Sequence, residues 1–180
     1  MLKRLIKKFV PPIFLEFYHY LLAFFGAVVF GFPSRKLTVI GVTGTSGKST
    51  TVDFIARILE EAGHKTASMS SVRFKIGQQE EKNTLKMTMP GRFKVQKFLR
   101  QAVRENCKYA VLEVTSEGIK QSRHKFIRFT TAVFTNLSPE HIESHGGFEN
   151  YRNEKLKLFK AVNNTHIINL DDSNTEYFLK

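Results

Sequence analysis

The sequence predicts an α/β protein built on a doubly wound, mostly parallel sheet with a phosphate-binding loop, preceded by an apolar N-terminal helix. Three observations carry this. Residues 37–43 form an apolar, β-branched run that breaks into the glycine-rich stretch Gly44-Thr-Ser-Gly-Lys-Ser. From Leu37 onward, strand-like and helix-like stretches alternate, as crossover connections between parallel strands require. The 180 residues are 42% hydrophobic and 24% charged, which suits one globular domain with a sizeable core and is short for two.

Taken in order, residues 1–36 stand apart from the rest. Met1-Leu-Lys-Arg-Leu-Ile-Lys-Lys is basic, Pro11-Pro12 interrupts, and Ile13 to Phe32 is almost wholly apolar and aromatic apart from Glu16 and His19. The apolar stretch from Tyr20 to Phe32 is shorter than the ~20 residues a spanning helix needs. A helix lying on a membrane surface through residues 1–32 fits better than one crossing it. A helix packed on the domain or against a partner is the plain alternative. Pro-Pro and Glu16 argue against a cleaved signal peptide.

The second unit, residues 37–180, begins with a strand over Leu37–Thr43 and a crossover helix over Lys48–Ala62, where Val52, Ile55, Ile58, Leu59 and Ala62 recur at helical spacing. Lys65–Ser70 reads as a second strand, followed by a hairpin turning near Gly77. Phe93–Asn106 reads as a basic amphipathic helix. Tyr109–Val114 and Thr131–Asn136 read as strands, Phe148–Val162 as a helix with Tyr151, Leu158 and Phe159 inward, and His166–Leu170 as a last strand. The single cysteine, Cys107, excludes an internal disulfide and reads as a helix-end residue.

The chemistry concentrates at the glycine loop. Glycines let backbone N–H groups turn inward around an anion, and the following helix adds its positive end. Lys48 supplies a point charge for outer phosphates, and the Ser49 hydroxyl suits Mg²⁺. The strict pattern has a glycine where this chain has Val42, but Gly41 and Gly44 flank it. Glu113 ends an apolar strand, where ligands gather in an open parallel sheet. His141 follows Pro139-Glu140 and could be a metal ligand or a phosphate contact, with His145 four residues on. Lys155 sits among Asn153, Glu154, Leu156 and Lys157, and its charge alone does not single it out.

A formal net charge of +12 favours anionic partners. No aromatic-studded RNA motif or recognition-helix signature accompanies it, so nucleic acid is not expected. Nucleotide-sugar substrates, ATP and anionic headgroups are the anions expected instead.

Five motifs in order resemble the central ATP-binding domain of the Mur ligase family, nearest its diamino-acid-adding members. They are Gly44-Thr-Ser-Gly-Lys-Ser-Thr-Thr, Thr88-Met-Pro, Glu113-Val-Thr-Ser-Glu-Gly-Ile-Lys-Gln-Ser-Arg, Phe134-Thr-Asn-Leu-Ser-Pro-Glu-His, and the stretch from His145 to Phe159. The resemblance implies an ATP-dependent ligase of cell-wall precursor synthesis. ATP would phosphorylate the carboxylate of a UDP-N-acetylmuramoyl peptide, and the amine of an incoming amino acid would attack the acyl phosphate.

By the same resemblance, Gly44, Thr45, Ser46, Gly47, Lys48, Ser49 and Thr50 would hold the nucleotide, with Asn136 beside it. Ser49, Glu113 and His141 would serve Mg²⁺. Lys155 would do so once carbamylated, and Lys48, Glu113, His141 and Lys155 would be the catalytic set. Thr88, Ser116, Gln121 and Arg123 would bind the muramoyl peptide. Glu117 and Glu140 depart from the family pattern, which commonly has His and Asp there. The resemblance also implies a cytoplasmic enzyme, and a chain that is a fragment unable to complete ligation alone. Folate, cyanophycin or lipid-linked muramoyl ligases, and a non-ligase P-loop NTPase, share the loop and remain the alternatives.

Overall fold

The computed structural model describes residues 11–85, 87–140 and 142–179. Helix α1 spans Pro12–Val29, with proline in its first turn, where its missing N–H costs nothing. It packs along helix α3, Arg92–Arg104.

The sheet has seven strands: β1 Thr38–Thr43, β2 Thr66–Met69, β3 Arg73–Ile76, β4 Gln79–Lys82, β5 Tyr109–Glu113, β6 Phe129–Phe134 and β7 Thr165–Ile168. Their order is β4-β3-β2-β5-β1-β6-β7. The five from β2 to β7 run parallel, and β3 and β4 add an antiparallel hairpin at one edge. Helix α2, Lys48–Glu61, crosses from β1 over β5 to β2. Because β5 and β6 flank β1 on opposite sides, the carboxyl end of β1 is a switch point, the position where open α/β sheets leave a crevice.

Alternation along the strands sorts the core into two layers. Val42, Val111 and Val133 face α2 with Val52 and Ala56. Val39, Ala110, Leu112, Ala132 and Phe134 face the other side, against α3 and helix α6, Phe148–Lys160.

The expected strands and helices are all present, with shifted ends. The strand expected at 131–136 runs from Phe129 to Phe134, so Asn136 lies in the loop beyond it. The last strand is Thr165–Ile168 in place of 166–170. Two short helices were not anticipated: α4, Ser116–Lys120, capped by the Thr115 side chain, and α5, Ile142–His145. Cys107 is buried just past α3, as expected of a helix-end residue.

Candidate functional site

The loop after β1 bends through two glycines in conformations that L side chains rarely adopt. Gly44 has φ +154°, and a Cβ there would collide with the Thr135 hydroxyl. Gly47 has φ +76° and caps α2 without a side-chain hydrogen bond, so the first-turn N–H groups of that helix point out of its end toward the loop. An anion is favoured there by those donors and by the helix dipole.

Asn136 braces the outer wall of the loop. Its Oδ1 accepts from the N–H of Ser46 at 2.9 Å and of Thr45 at 3.2 Å, while its Nδ2 donates to the Ser46 carbonyl. The Thr45 hydroxyl accepts from the Ser138 N–H at 2.9 Å and pairs with the Tyr151 hydroxyl at 3.1 Å. Thr45 and Asn136 therefore shape the loop, whereas Ser46 and Thr50 are exposed on it or on the first turn of α2.

Lys48 folds back so that its Nζ donates to the Thr45 carbonyl at 2.7 Å. Burial pulls its pKa below the ordinary lysine value, and Glu113 and Glu140 act in the opposite sense. Glu113, at the end of β5, is buried. Its Oε2 accepts from the Ser49 hydroxyl at 2.6 Å and from the Ser71 N–H at 2.9 Å, and the Ser71 and Ser49 hydroxyls lie 2.7 Å apart. One carboxylate and two hydroxyls make a hard oxygen set of the kind Mg²⁺ prefers. Among the described residues no group of three His, Cys, Asp or Glu side chains adds to it. His141 lies outside the described residues.

Lys155 is only 2% exposed, on the inward stripe of α6 with Tyr151, Leu158 and Phe159. Its Nζ donates to the Gly44 carbonyl at 2.6 Å and stands 4.4 Å from the centre of the Tyr151 ring. Burial, reinforced by Lys48, lowers its pKa to about 7, although Glu140 and Glu113 pull the other way. A buried lysine near neutrality is in part a free amine and therefore a nucleophile.

Gly44, Lys48, Glu113 and Lys155 line one cleft of about 500 Å³ together with Thr88, Ser116, Glu117 and Arg123. Arg123 donates to the Met89 carbonyl and, at 2.8 Å, to Gln121 Oε1. Gln121 thus stands one step back, orienting Arg123. His145 and Tyr151 also line the cleft, with ring centres 5.3 Å apart.

Sequence reasoning missed Ser71 and left His145 as a mere neighbour of His141, and the residue pattern by itself did not single out Lys155, which only the family resemblance supplied. Helical spacing carried the signal for Lys155, which falls four residues after the inward Tyr151. Ser71 sits just beyond the carboxyl end of β2, the same kind of position that made Glu113 a candidate.

A glycine loop that opens a helix from the central strand, faced by a carboxylate from the next strand, puts the chain among P-loop α/β domains. Comparison narrows the class. Residues 42–180 match the family model described as the Mur ligase middle domain, and the chain belongs to that family.

It is 40% identical over 155 residues to the UDP-N-acetylmuramoyl-L-alanyl-D-glutamate--2,6-diaminopimelate ligase of Syntrophomonas wolfei, covering 84% of this chain and 31% of the relative. It is also 40% identical over 138 residues to the UDP-N-acetylmuramyl-tripeptide synthetase of Treponema pallidum, covering 76% and 26%. The chain therefore spans about a third or less of the length of the curated relatives it matches. A solved diaminopimelate ligase structure superposes with a TM-score of 0.71 at 30% identity, over 79% of this chain and 28% of that one. A folylpolyglutamate synthase/dihydrofolate synthase bound to Mn, AMPPNP and L-glutamate shares the fold, with a TM-score of 0.70 at 18% identity over 89% and 44%.

Proposed function

We propose that this chain is the nucleotide-binding part of an ATP-dependent ligase that joins an amino acid to a UDP-N-acetylmuramoyl peptide in peptidoglycan precursor synthesis. One observation carries the reading: a phosphate loop, a metal-suited carboxylate and a buried amine of lowered pKa share a single cleft with Thr88, Ser116 and Arg123. The diamino-acid-adding relatives point to the same substrate class.

The loop amides and Lys48 would bind the phosphates of ATP and neutralise charge that builds during transfer. Ser49, Ser71 and Glu113 would hold Mg²⁺, which when bound supplies further charge neutralisation at the phosphates. Arg123 would orient the peptide's carboxylate, and the walls of the cleft would exclude water from the activated acyl group. Lys155, as a neutral free amine, can add to the carbon of CO₂ and release one proton, becoming an anionic carbamate with two oxygen donors. On this reading the enzyme works in the cytoplasm, where ATP is supplied, and its N-terminal segment meets a membrane surface there.

Calorimetry with ATP, with and without Mg²⁺, tests the core of the proposal. Magnesium-dependent heat is expected, and its absence from folded protein would overturn the reading. Phosphate release by the enzyme carrying this domain with UDP-muramoyl-dipeptide and a diamino acid tests the substrate. For Lys155→Ala, release should fall and recover with added short carboxylates.

A further inference from the structure

Helix α1 is patterned the opposite way from a helix on the surface of a water-soluble domain. Small residues face in: Ala23, Gly26 and Ala27 are buried and allow close approach to α3. Bulky apolar residues face out. Phe14, Phe17, Tyr18, Phe25, Val28 and Val29 are 63%, 61%, 55%, 52%, 46% and 66% exposed. With 3.6 residues per turn they fall within an arc of about 120° along the whole helix. Such a continuous apolar strip marks an interaction surface. None of it lies in the part of the chain that matches the family model.

Among the described residues no helix is long and apolar enough to cross a membrane, and α1 is held sideways against α3. Beside it, a cleft of about 450 Å³ adjoining Phe17 and Tyr20 carries Lys120 and Lys125, together with Glu16 and the ion pair of Lys157 with Glu154. Arg35 and Lys36 are exposed just past the helix, and the sequence ahead of it holds Lys3, Arg4, Lys7 and Lys8. An apolar strip flanked by cations is complementary to an anionic interface. A second copy of the chain fits less well, because a two-fold contact through this strip would bring the same basic flanks together.

We propose that α1 lies in the plane of an anionic phospholipid bilayer, its outward aromatic arc in the boundary between headgroups and acyl chains and the flanking lysines against headgroup phosphates. This deepens the membrane-surface reading and is independent of the ligation chemistry.

Cosedimentation of the 180-residue chain with vesicles tests it. Phosphatidylcholine containing phosphatidylglycerol should bind the chain roughly tenfold or more tightly than phosphatidylcholine alone, with the difference shrinking at high salt. Replacing Phe14, Phe17 and Phe25 together by Ser should weaken binding by about tenfold or more. The double change Lys120→Gln and Lys125→Gln should weaken it by roughly tenfold on anionic vesicles only. Equal partition onto both vesicles, or full binding by the triple-serine variant, overturns the proposal. So does a concentration-dependent doubling of mass that the triple-serine change abolishes, since the strip then serves a dimer. An ATP titration of the same samples reads the phosphate loop and overall folding, so loss of vesicle binding with intact nucleotide binding separates the two readings.

Discussion

The two ends of this molecule use opposite solutions to the problem of placing polar and apolar groups. Around the Gly44–Ser49 loop, charge is taken inside: Glu113 and Lys155 are 3% and 2% exposed, and each is tied to backbone or hydroxyl groups within 3 Å. On α1, aromatic surface is left outside while alanines and a glycine go in. Each arrangement costs folding energy that a simpler pattern would avoid. Costs of this kind persist where a ligand or surface makes use of them, which makes both regions the places to test.

The largest effect is expected where backbone shape itself is the feature. Gly44→Val would set a branched side chain against the Thr135 hydroxyl and the Asn136 backbone, in a conformation valine avoids. Affinity for Mg·ATP by calorimetry should fall by more than about a hundredfold if the loop cannot close around phosphates. Glu113→Gln keeps the shape but removes the charge facing Ser49 and Ser71, so magnesium-dependent affinity should fall by about tenfold to a hundredfold. Should both variants bind like the wild type, the polar end of the comparison loses its functional meaning.

Lys155 offers a test of the buried charge with a defined sign. Its native pKa is lowered to about 7 by burial and Lys48, against Glu140 and Glu113, whereas an unfolded lysine titrates near 10.4. Between those values the unfolded chain binds the extra proton, so stability rises with pH across roughly pH 7–10, and the cost of the charge is greatest below pH 7. Lys155→Met removes that cost, on the order of 4 kcal/mol, and loses the hydrogen bond to Gly44, about 1–2 kcal/mol. In CO₂-free buffer the variant should be about 2 kcal/mol more stable than wild type in urea melts at pH 6. The advantage should vanish or reverse by pH 10, and one that does not change with pH would show that Lys155 is not strained.

The phosphate loop and Glu113 were legible in the sequence because local rules place them: glycines where the chain must bend, and a carboxylate at a strand's end. The sheet was legible from the alternation of apolar runs. Strand β6 was displaced by two residues because Thr135 continues the β-branched run in sequence, while in the structure Thr135 and Asn136 turn their side chains to Ser46 and brace the loop. Ser71 joins Glu113 only when β2 and β5 pair in register, and no local pattern reports on that. The family resemblance supplied Lys155 before any geometry did, and the structure adds why it differs from Lys157: one lies on the inward stripe of α6, whereas the other pairs with Glu154 at the surface.

The smallest effects should come from α1, and their asymmetry is the sharper test. Ala27 is fully buried where α1 rests on the domain, so Ala27→Leu must push the helix outward and should cost about 1–3 kcal/mol of stability. Phe25, half exposed, makes its one ring contact among the described residues with its neighbour Phe24, at 5.8 Å. For a helix meant to face water, Phe25→Ser should be neutral or even improve solubility, and in buffer the stability read from urea melts should change by no more than about 0.5 kcal/mol. The same substitution should weaken adsorption to anionic vesicles, because there the phenyl ring has a place to go. A phenylalanine whose loss leaves folding untouched yet lowers partition onto a bilayer has its use outside the folded chain. If Phe25→Ser instead unfolds the protein as Ala27→Leu does, the outward arc is ordinary packing and the contrast between the two ends of the molecule fails.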